Sequence, residues 1–311
     1  MRFFNPLVIA VAGAISLSAQ EPVYTLRVDV PLVSVDVKVL DSRDQPMTSL
    51  TAKDFIVLED GAEQDIQVFT SVDTPNNILL LFDRSGSTQD QWSFMQRAAG
   101  RFIRNLRPQD HVALAAFDEG VTVLSEWNDT KTETERALEE LQDRGPGGGT
   151  NLYPALERVT QREFRNTSGR RALVVLTDGR DSQLANLKLL AVNRSFERTV
   201  KIVQSARIPV YFVALNTDKN LTSSDRAVSA IPKEARSRME TLANVTGGGV
   251  FFPKSIRDIV DIYDQVSRDL SSSYGLAYTS THSSGEGQYH RIEVRVHGAK
   301  VKQAREGYTT P

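Results

Sequence analysis

The amino-acid sequence predicts an α/β fold: a doubly wound, mostly parallel sheet flanked by helices, with a small β-sandwich built from the N- and C-terminal segments. Two observations predict the sheet. Wholly apolar runs at 78–82 and 172–176 each lead within two residues into an aspartate, and strand-like and helix-like segments alternate from about residue 75 to 271. The third observation concerns both ends of the chain, where apolar and polar residues alternate with the period of half-buried strands.

The composition excludes several classes of site. The chain has 311 residues, 40% of them hydrophobic, which is enough for one large core or two modest ones. Its formal net charge is −2 and the basic residues are spread throughout, so we expect no nucleic-acid partner. The absence of cysteine excludes disulfides, thiolate metal sites and thiol catalysis.

Residues 1–20 are predicted to be a secretory signal peptide. Arg2 precedes an apolar run from Leu7 to Ala19, and small residues and Gln20 follow. A run of this length suits a signal peptide and is short for a bilayer span. We therefore expect cleavage near Ser18 to Gln20, a secreted or periplasmic location, and no transmembrane span afterwards. An uncleaved anchor or a buried N-terminal helix are the alternatives.

The two terminal segments are predicted to form one sandwich. Residues 21–74 contain alternating runs at 24–30 and 33–39 and a hairpin pattern around Asp60 and Gly61. Residues 272–311 show the same period near 292–296, but they are too few to enclose a core of their own. We therefore expect 272–311 to pair with 21–74, with the α/β domain 75–271 inserted between them.

Within the α/β domain, a helix is predicted to follow Ser87 directly, with Thr88 and Gln91 at capping-box spacing. Its apolar stripe runs from Trp92 to Leu106. The other predicted strands are 111–117, an edge strand at 121–127, 172–176, 210–215 and 250–252. The other predicted helices are 133–141, 153–164, 195–206, 233–244 and 256–270.

Oxygen-bearing side chains follow both apolar strands. Asp83 ends the first strand, and Ser85 and Ser87 come next at alternate positions, with Gly86 allowing a tight loop. Asp178 follows the second strand and therefore leaves the sheet at the same edge, where open α/β sheets place their ligand sites. Carboxylate and hydroxyl oxygens are ligands that suit Mg²⁺ or Mn²⁺. The sequence thus predicts a site for a divalent cation.

A third loop, the glycine-rich segment 145–149, ends at Thr150 and completes a recognisable pattern. The segments Asp83-Arg-Ser85-Gly-Ser87, Gly149-Thr150-Asn and Thr177-Asp178-Gly occur in this order. Together they resemble the von Willebrand factor A domain with its metal-ion-dependent adhesion site, in which Asp-x-Ser-x-Ser, a Thr and an Asp come from three loops. The resemblance covers residues 75 to about 270. The whole layout is similar to bacterial secreted proteins that carry a von Willebrand factor A-related domain.

The resemblance implies a metal site and no catalytic residues. Ser85 and Ser87 would bind the ion directly, Thr150 directly or through water, and Asp83 and Asp178 through water or in alternation. Mg²⁺ is the expected ion, with Mn²⁺ or Ca²⁺ as alternatives. Neutral hydroxyl ligands leave such an ion electrophilic, so an Asp or Glu carboxylate of a protein partner can complete its coordination. The expected function is metal-dependent, adhesion-type protein binding.

Simpler interpretations exist for individual residues. Ser85 or Ser87 could cap the following helix. The glycine-rich loop lacks the lysine of a phosphate-binding P-loop. Asp118 is expected to be a solvated loop acid near the same edge. His290 and His297 are expected at exposed strand positions; no histidine shows metal-ligand spacing.

Two other functions compete with the binding module. One is an envelope assembly factor that works with an energy-using machine, as some members of the family do. The other is a metal-dependent hydrolase, for which Asp181 or Glu119, otherwise expected to be solvated, would have to act as general base. No Gly-x-Ser-x-Gly, His-Glu-x-x-His or paired-acid motif supports hydrolysis.

Overall fold

The structure is a computed structural model that describes residues 32–141, 145, 147–167, 169–182, 184, 190–214, 226–253, 256–281 and 287–310. The predicted signal peptide and the alternating run at 24–30 lie outside these residues. The strands are β1 (Leu32–Leu40), β2 (Phe55–Glu59), β3 (Ala62–Gln64), β4 (Ile66–Thr70), β5 (Asn76–Asp83), β6 (His111–Phe117), β7 (Val121–Ser125), β8 (Arg170–Thr177), β9 (Val210–Ala214), β10 (Gly249–Phe251), β11 (Ser273–Thr279), β12 (Tyr289–Val296), β13 (Lys300–Gln303) and β14 (Gly307–Thr309). The helices are α1 (Trp92–Asn105), α2 (Lys131–Glu140), α3 (Leu152–Arg158), α4 (Leu190–Ala206), α5 (Arg226–Thr246) and α6 (Ile256–Ser271).

The central sheet has the strand order β10-β9-β8-β5-β6-β7. All neighbours in it are parallel except β7, which pairs antiparallel with β6 at one edge. Strand β5 is buried along its whole length because helices cover both faces of the sheet. Ile78, Leu80 and Phe82 pack in the core with α1, α2 and α6, whereas Leu79 and Leu81 pack with α3, α4 and α5. The predicted doubly wound sheet is confirmed.

The terminal segments form two antiparallel sheets that share one apolar core. One sheet has the order β13-β1-β11-β4 and the other β14-β12-β2-β3, so each contains strands from both ends of the chain. Val35 pairs with Leu276 in the first sheet, and Val57 pairs with Val294 in the second. All four side chains lie in the same hydrophobic cluster. The expectation that the two ends build one sandwich is confirmed.

The start of α1 differs from the prediction. Residues 86–91 form a 3-10 turn, and the helix begins only at Trp92. The hydroxyl of Thr88 donates to the carbonyl oxygens of Asp83 and Ser85, both at 3.0 Å, and accepts from the indole N–H of Trp92 at 3.1 Å. Thr88 therefore ties the strand end to the turn and does not cap the helix.

Other element boundaries also differ. Helix α5 starts at Arg226 and continues through Pro232, well before the predicted start at 233. Helix α3 ends at Arg158 and is followed by a π-helical turn over 159–163. The short strands β13 and β14 were not predicted, because their three or four residues contain too few apolar side chains to show a period.

The expectation that His290 is exposed was wrong. His290 is buried, and its Nδ1 lies 2.7 Å from Oδ2 of Asp60. Strand β12 begins at Tyr289, so His290 falls on the same inward face as Ile292 and Val294. His290 occupies an inward position in the alternating pattern of that strand. It was predicted to be exposed because its side chain is polar. His297, by contrast, is exposed in the turn after β12, outside the strand position predicted for it.

Candidate metal centre

Asp83 lies at the carboxyl end of β5, fully buried and held by two donors. Its Oδ1 accepts the backbone N–H of Ser85 at 2.9 Å, and its Oδ2 accepts the hydroxyl of Thr177 at 2.5 Å. Burial raises the pKa of Asp83, and the neighbouring charge of Asp178 raises it further, to about 6, against the lowering effect of the bonds from Ser85 and Thr177. The two carboxylates are therefore close enough to repel each other.

Ser85 and Ser87 present their hydroxyls to each other across Gly86. The two Oγ atoms are 3.1 Å apart, with Ser85 buried and Ser87 exposed. Ser85 occupies the N-cap position of the 3-10 turn, yet its side chain makes no capping hydrogen bond. This geometry favours the interpretation of the two serines as a pair of ligands over their interpretation as helix caps.

Backbone hydrogen bonds join the glycine-rich loop to both neighbouring loops. The N–H of Gly147 donates to the carbonyl of Arg84 at 2.8 Å. Thr150, which is buried, receives the N–H of Ser182 at its carbonyl and donates its own N–H to the Ser182 hydroxyl, both at 2.8 Å. A Cβ on Gly147 would lie 2.3 Å from Oδ2 of Asp118, so only glycine permits this approach. The three loops that carry the predicted ligands are thus joined at one edge of the sheet.

Asp178 carries the clearest sign of a missing partner. Its Oδ1 accepts the backbone N–H of Arg180 at 3.0 Å. Its Oδ2 is buried, and no donor in the described part of the chain makes a hydrogen bond to it; Nε of Arg180 is 3.8 Å away. A buried carboxylate oxygen without a donor costs free energy of folding, which a cation would recover.

The residues present fit a hard divalent cation. The described ranges contain no group of three or more His, Cys, Asp or Glu residues suited to hold a metal. The set at this edge is instead two adjacent carboxylates with three hydroxyls: Asp83, Asp178, Ser85, Ser87 and Thr150. An all-oxygen set of this kind suits Mg²⁺, Mn²⁺ or Ca²⁺ and offers nothing to a soft metal.

Thr177 supports the site in a way that was not predicted from the sequence. This threonine is fully buried, accepts the N–H of Gly179 at 2.9 Å and donates to Asp83. Its hydroxyl therefore links the loop of Asp178 to the loop of Asp83. The only sequence signal was a hydroxyl residue at the end of a strand that is otherwise apolar.

The three acids expected to be solvated behave differently from one another. Asp181 is buried, and its Oδ2 accepts the backbone N–H of Tyr153 at 3.3 Å, so that expectation was wrong. Asp118 pairs with Arg84 at 2.6 Å. Glu119 is exposed and accepts the N–H of Gly149 at 3.2 Å. All three support the loops.

Comparison with known proteins agrees with this fold. The structure is similar to that of von Willebrand factor type A from Catenulispora acidiphila, with 12% identity, 90% of this chain and 73% of that chain covered, and a TM-score of 0.50. It is also similar to the vWF domain of the type V pili tip protein Mfa5 from Porphyromonas gingivalis, with 9% identity, 63% and 94% covered, and a TM-score of 0.47. A third structure is an aerotolerance-related membrane protein from Bacteroides fragilis, with 14% identity, 62% and 98% covered, and a TM-score of 0.45.

Among the helices that the structure describes, none has both the length and the apolarity needed to cross a membrane. The sequence pattern of the von Willebrand factor type A domain matches residues 77–265, which is more than half of the chain. The match begins at β5 and includes all five residues of the candidate metal centre. The chain therefore belongs to the von Willebrand factor type A domain family.

Proposed function

We propose that this protein is a secreted or periplasmic binding module in which a divalent cation grips an acidic group of a protein partner. Domains of this family are commonly adhesion or protein-interaction modules and are typically not enzymes. The observation that carries the proposal is the buried Oδ2 of Asp178, which has no hydrogen-bond donor in the described residues and lies beside the carboxylate of Asp83. Export rests on the apolar run from Leu7 to Ala19.

The ion would be held by Asp83, Ser85, Ser87, Thr150 and Asp178. Two carboxylates balance the charge of a divalent cation, and three neutral hydroxyls leave it able to attract a further anionic oxygen. Mg²⁺ is the ion we expect. When bound, it would supply electrostatic attraction for an Asp or Glu carboxylate. The hydrogen bonds to Asp83 from Thr177 and Ser85 would hold that carboxylate in one orientation.

The first prediction concerns metal binding by the exported chain. Saturation with Mg²⁺ at roughly one hundred times the dissociation constant should raise the free energy of unfolding by about 2.7 kcal/mol through mass action. Asp83→Ala removes a proposed ligand and should abolish this increment, so that its free energy of unfolding is the same in Mg²⁺ and in chelator. Titration calorimetry and denaturant unfolding would measure both effects. Asp65→Ala, which removes an exposed acid of the sandwich, is the control.

Partner capture should depend on the same ion. A pull-down from the native envelope should lose its specific protein with chelator, with Asp83→Ala, and with Ser85→Ala combined with Ser87→Ala. Unchanged metal affinity in Asp83→Ala, or capture that survives chelation, would contradict the proposal.

A further inference from the structure

Arg180 brings a positive charge to the candidate metal centre. Its Nε lies 3.8 Å from Oδ2 of Asp178, and the aspartate side chain is 0% exposed while that of Arg180 is 31% exposed. At this distance the guanidinium attracts the carboxylate but forms no hydrogen bond with that oxygen. Arg180 therefore offsets part of the negative charge of Asp178 and leaves Oδ2 open to another cation.

The backbone around Arg180 holds it at this place. Its own N–H donates to Oδ1 of Asp178 at 3.0 Å, and the N–H of Asp181 donates to the carbonyl of Gly179 at 3.0 Å. Gly179 has a φ of +72°, and a Cβ there would lie 2.6 Å from Cε of Met239 on α5. The backbone of Arg180 is thus fixed beside Asp178, and its Nε lies 3.8 Å from Oδ2 of Asp178.

A second arginine in these loops behaves differently. Arg84 lies between Asp83 and Ser85, but its guanidinium donates to Oδ2 of Asp118 at 2.6 Å. Asp118 is not one of the proposed ligands, so the charge of Arg84 is balanced within the loops. Arg180 differs from Arg84 in that its guanidinium lies 3.8 Å from a proposed metal ligand, Asp178.

We propose that Arg180 is a competing cation that weakens and tunes metal binding at this site. The inference rests on the proposed function, because it takes Asp178 as a ligand of the ion. A divalent cation and a guanidinium that are attracted to the same carboxylate repel each other. Each therefore weakens the favourable interaction of the other with that carboxylate. The dissociation constant of the metal is therefore set by Arg180 as well as by the ligands themselves.

The test uses the full chain with Mg²⁺ and, separately, Mn²⁺ as the probes. Titration calorimetry should give Arg180→Gln a metal affinity roughly five- to tenfold higher than wild type at low ionic strength, with a smaller gain as salt is added. Arg180→Lys keeps the charge and should stay close to wild type. Arg101→Gln removes an exposed arginine of α1 that is not among the loops of the proposed ligands, and it should bind metal as wild type does.

Thermal melting supplies the second readout. In chelator, Arg180→Gln should melt at a lower temperature than wild type, because Asp178 loses its counter-charge. In saturating Mg²⁺ the two proteins should melt at similar temperatures. A purely structural role would lower the melting temperature equally in both conditions.

The failures of the two proposals can be told apart. Equal metal affinity in wild type and Arg180→Gln, or an equal loss of melting temperature with and without Mg²⁺, would overturn the role of Arg180 and leave the metal centre standing. Absence of metal binding in both proteins would overturn the proposed function and this inference with it.

Discussion

The hydroxyl of Thr177 links two of the loops that carry the proposed metal ligands. This hydroxyl accepts a hydrogen bond from the Gly179 N–H and donates one to Asp83, and Thr177 is fully buried. Valine has nearly the same shape as threonine but cannot form hydrogen bonds through its side chain. The effect of Thr177→Val on stability therefore reports the contribution of these hydrogen bonds. Because the acceptor is a buried carboxylate, the loss should be larger than for a bond between neutral groups.

The second prediction is that Thr177→Val lowers the free energy of unfolding by about 1.5–3 kcal/mol and weakens Mg²⁺ binding. Denaturant unfolding and titration calorimetry would measure the two effects. Thr160→Val is the matched control, since that buried threonine donates to the carbonyl of Leu156 at 2.7 Å. The control should bind Mg²⁺ normally. A Thr177→Val protein with wild-type affinity would show that the orientation of Asp83 does not matter.

Asp110 is another buried carboxylate, and it is not one of the proposed ligands. Its Oδ1 accepts the backbone N–H of Asn76 at 2.9 Å and the guanidinium of Arg107 at 2.9 Å. Burial acts to raise the pKa of Asp110, but the hydrogen bonds from Arg107 and Asn76 outweigh it and hold the pKa below its usual range. Because the folded-state pKa is lowered, this stabilisation is present above the unfolded pKa of about 3.9 and is lost as the pH falls through the folded value.

The third prediction follows from the lowered pKa of Asp110. Asp110→Asn should lower the free energy of unfolding by about 1.5–3 kcal/mol at pH 7, and the difference from wild type should shrink below about pH 4 as the wild-type carboxylate is protonated. Urea unfolding at pH 7, 5 and 3 would measure it. Asp44→Asn, which alters an exposed pair with Lys300, should have a smaller effect at every pH. A difference that grows in acid would contradict the assignment.

At the scale of elements, the buried strands were predictable and the start of α1 was not. Strand β5 is recognisable in the sequence because helices cover both of its faces, so every residue from Ile78 to Phe82 is apolar. The turn at 86–91 has no such signature. There Thr88 uses its hydroxyl for the carbonyls of Asp83 and Ser85, and this choice depends on where the strand end lies in space. Local spacing alone could not distinguish that role from an N-cap.

The sandwich contains a polar element that links its two sheets. Glu59, at the end of β2, is fully buried, and its Oε2 accepts the hydroxyl of Tyr278 from β11 in the other sheet at 2.6 Å. Tyr308 donates to the same oxygen at 3.2 Å, and Ser280 donates to Oε1. This arrangement places a carboxylate acceptor in the interior of the sandwich, where each donor matters.

The fourth prediction compares two buried tyrosines of β11. Tyr278→Phe removes one donor to the Glu59 carboxylate and should cost about 2 kcal/mol of unfolding free energy. Tyr274→Phe removes two bonds to neutral backbone groups, one donated to the carbonyl of Met47 and one accepted from the N–H of Leu50, and should cost about 1 kcal/mol for each. Denaturant unfolding would measure both. A cost for Tyr278→Phe of only half that for Tyr274→Phe would mean that the carboxylate contributes no more than a neutral acceptor.

At the scale of the whole molecule, the proposed metal ligands were more predictable than the residues that hold them in place. The motif order brings Asp83, Thr150 and Asp178 to one sheet edge, because parallel strands end together there. The supports come from residues whose roles depend on contacts between loops, such as Thr177 with Asp83. Asp181 and His290 were misjudged for a similar reason, since a polar residue is buried only when tertiary structure supplies its partners.

The fifth prediction concerns the dependence of the sandwich on both chain ends. Deleting 272–311 removes β11 to β14, so β1 loses both of its strand neighbours and β2 loses one. Residues 32–70 should then exchange their amide hydrogens rapidly, while the central sheet keeps its protection and its Mg²⁺ binding. Hydrogen exchange and calorimetry would measure the two outcomes. Loss of protection throughout the central sheet would show that the inserted domain cannot stand without the sandwich.

The sandwich contacts the central sheet at the amino ends of its strands, opposite the edge that carries the candidate metal centre. Arg170, the first residue of β8, donates to the carbonyl of Ser273, and Lys38 pairs with Asp269 near the end of α6. Strand β5 starts shortly after the sandwich strand β4 and ends at Asp83, roughly 25 Å further on. A mechanical load between a partner at the metal and an anchor on the sandwich would therefore run lengthwise along β5. Its hydrogen bonds to β6 and β8 would be sheared together, a direction in which they cannot be opened one at a time.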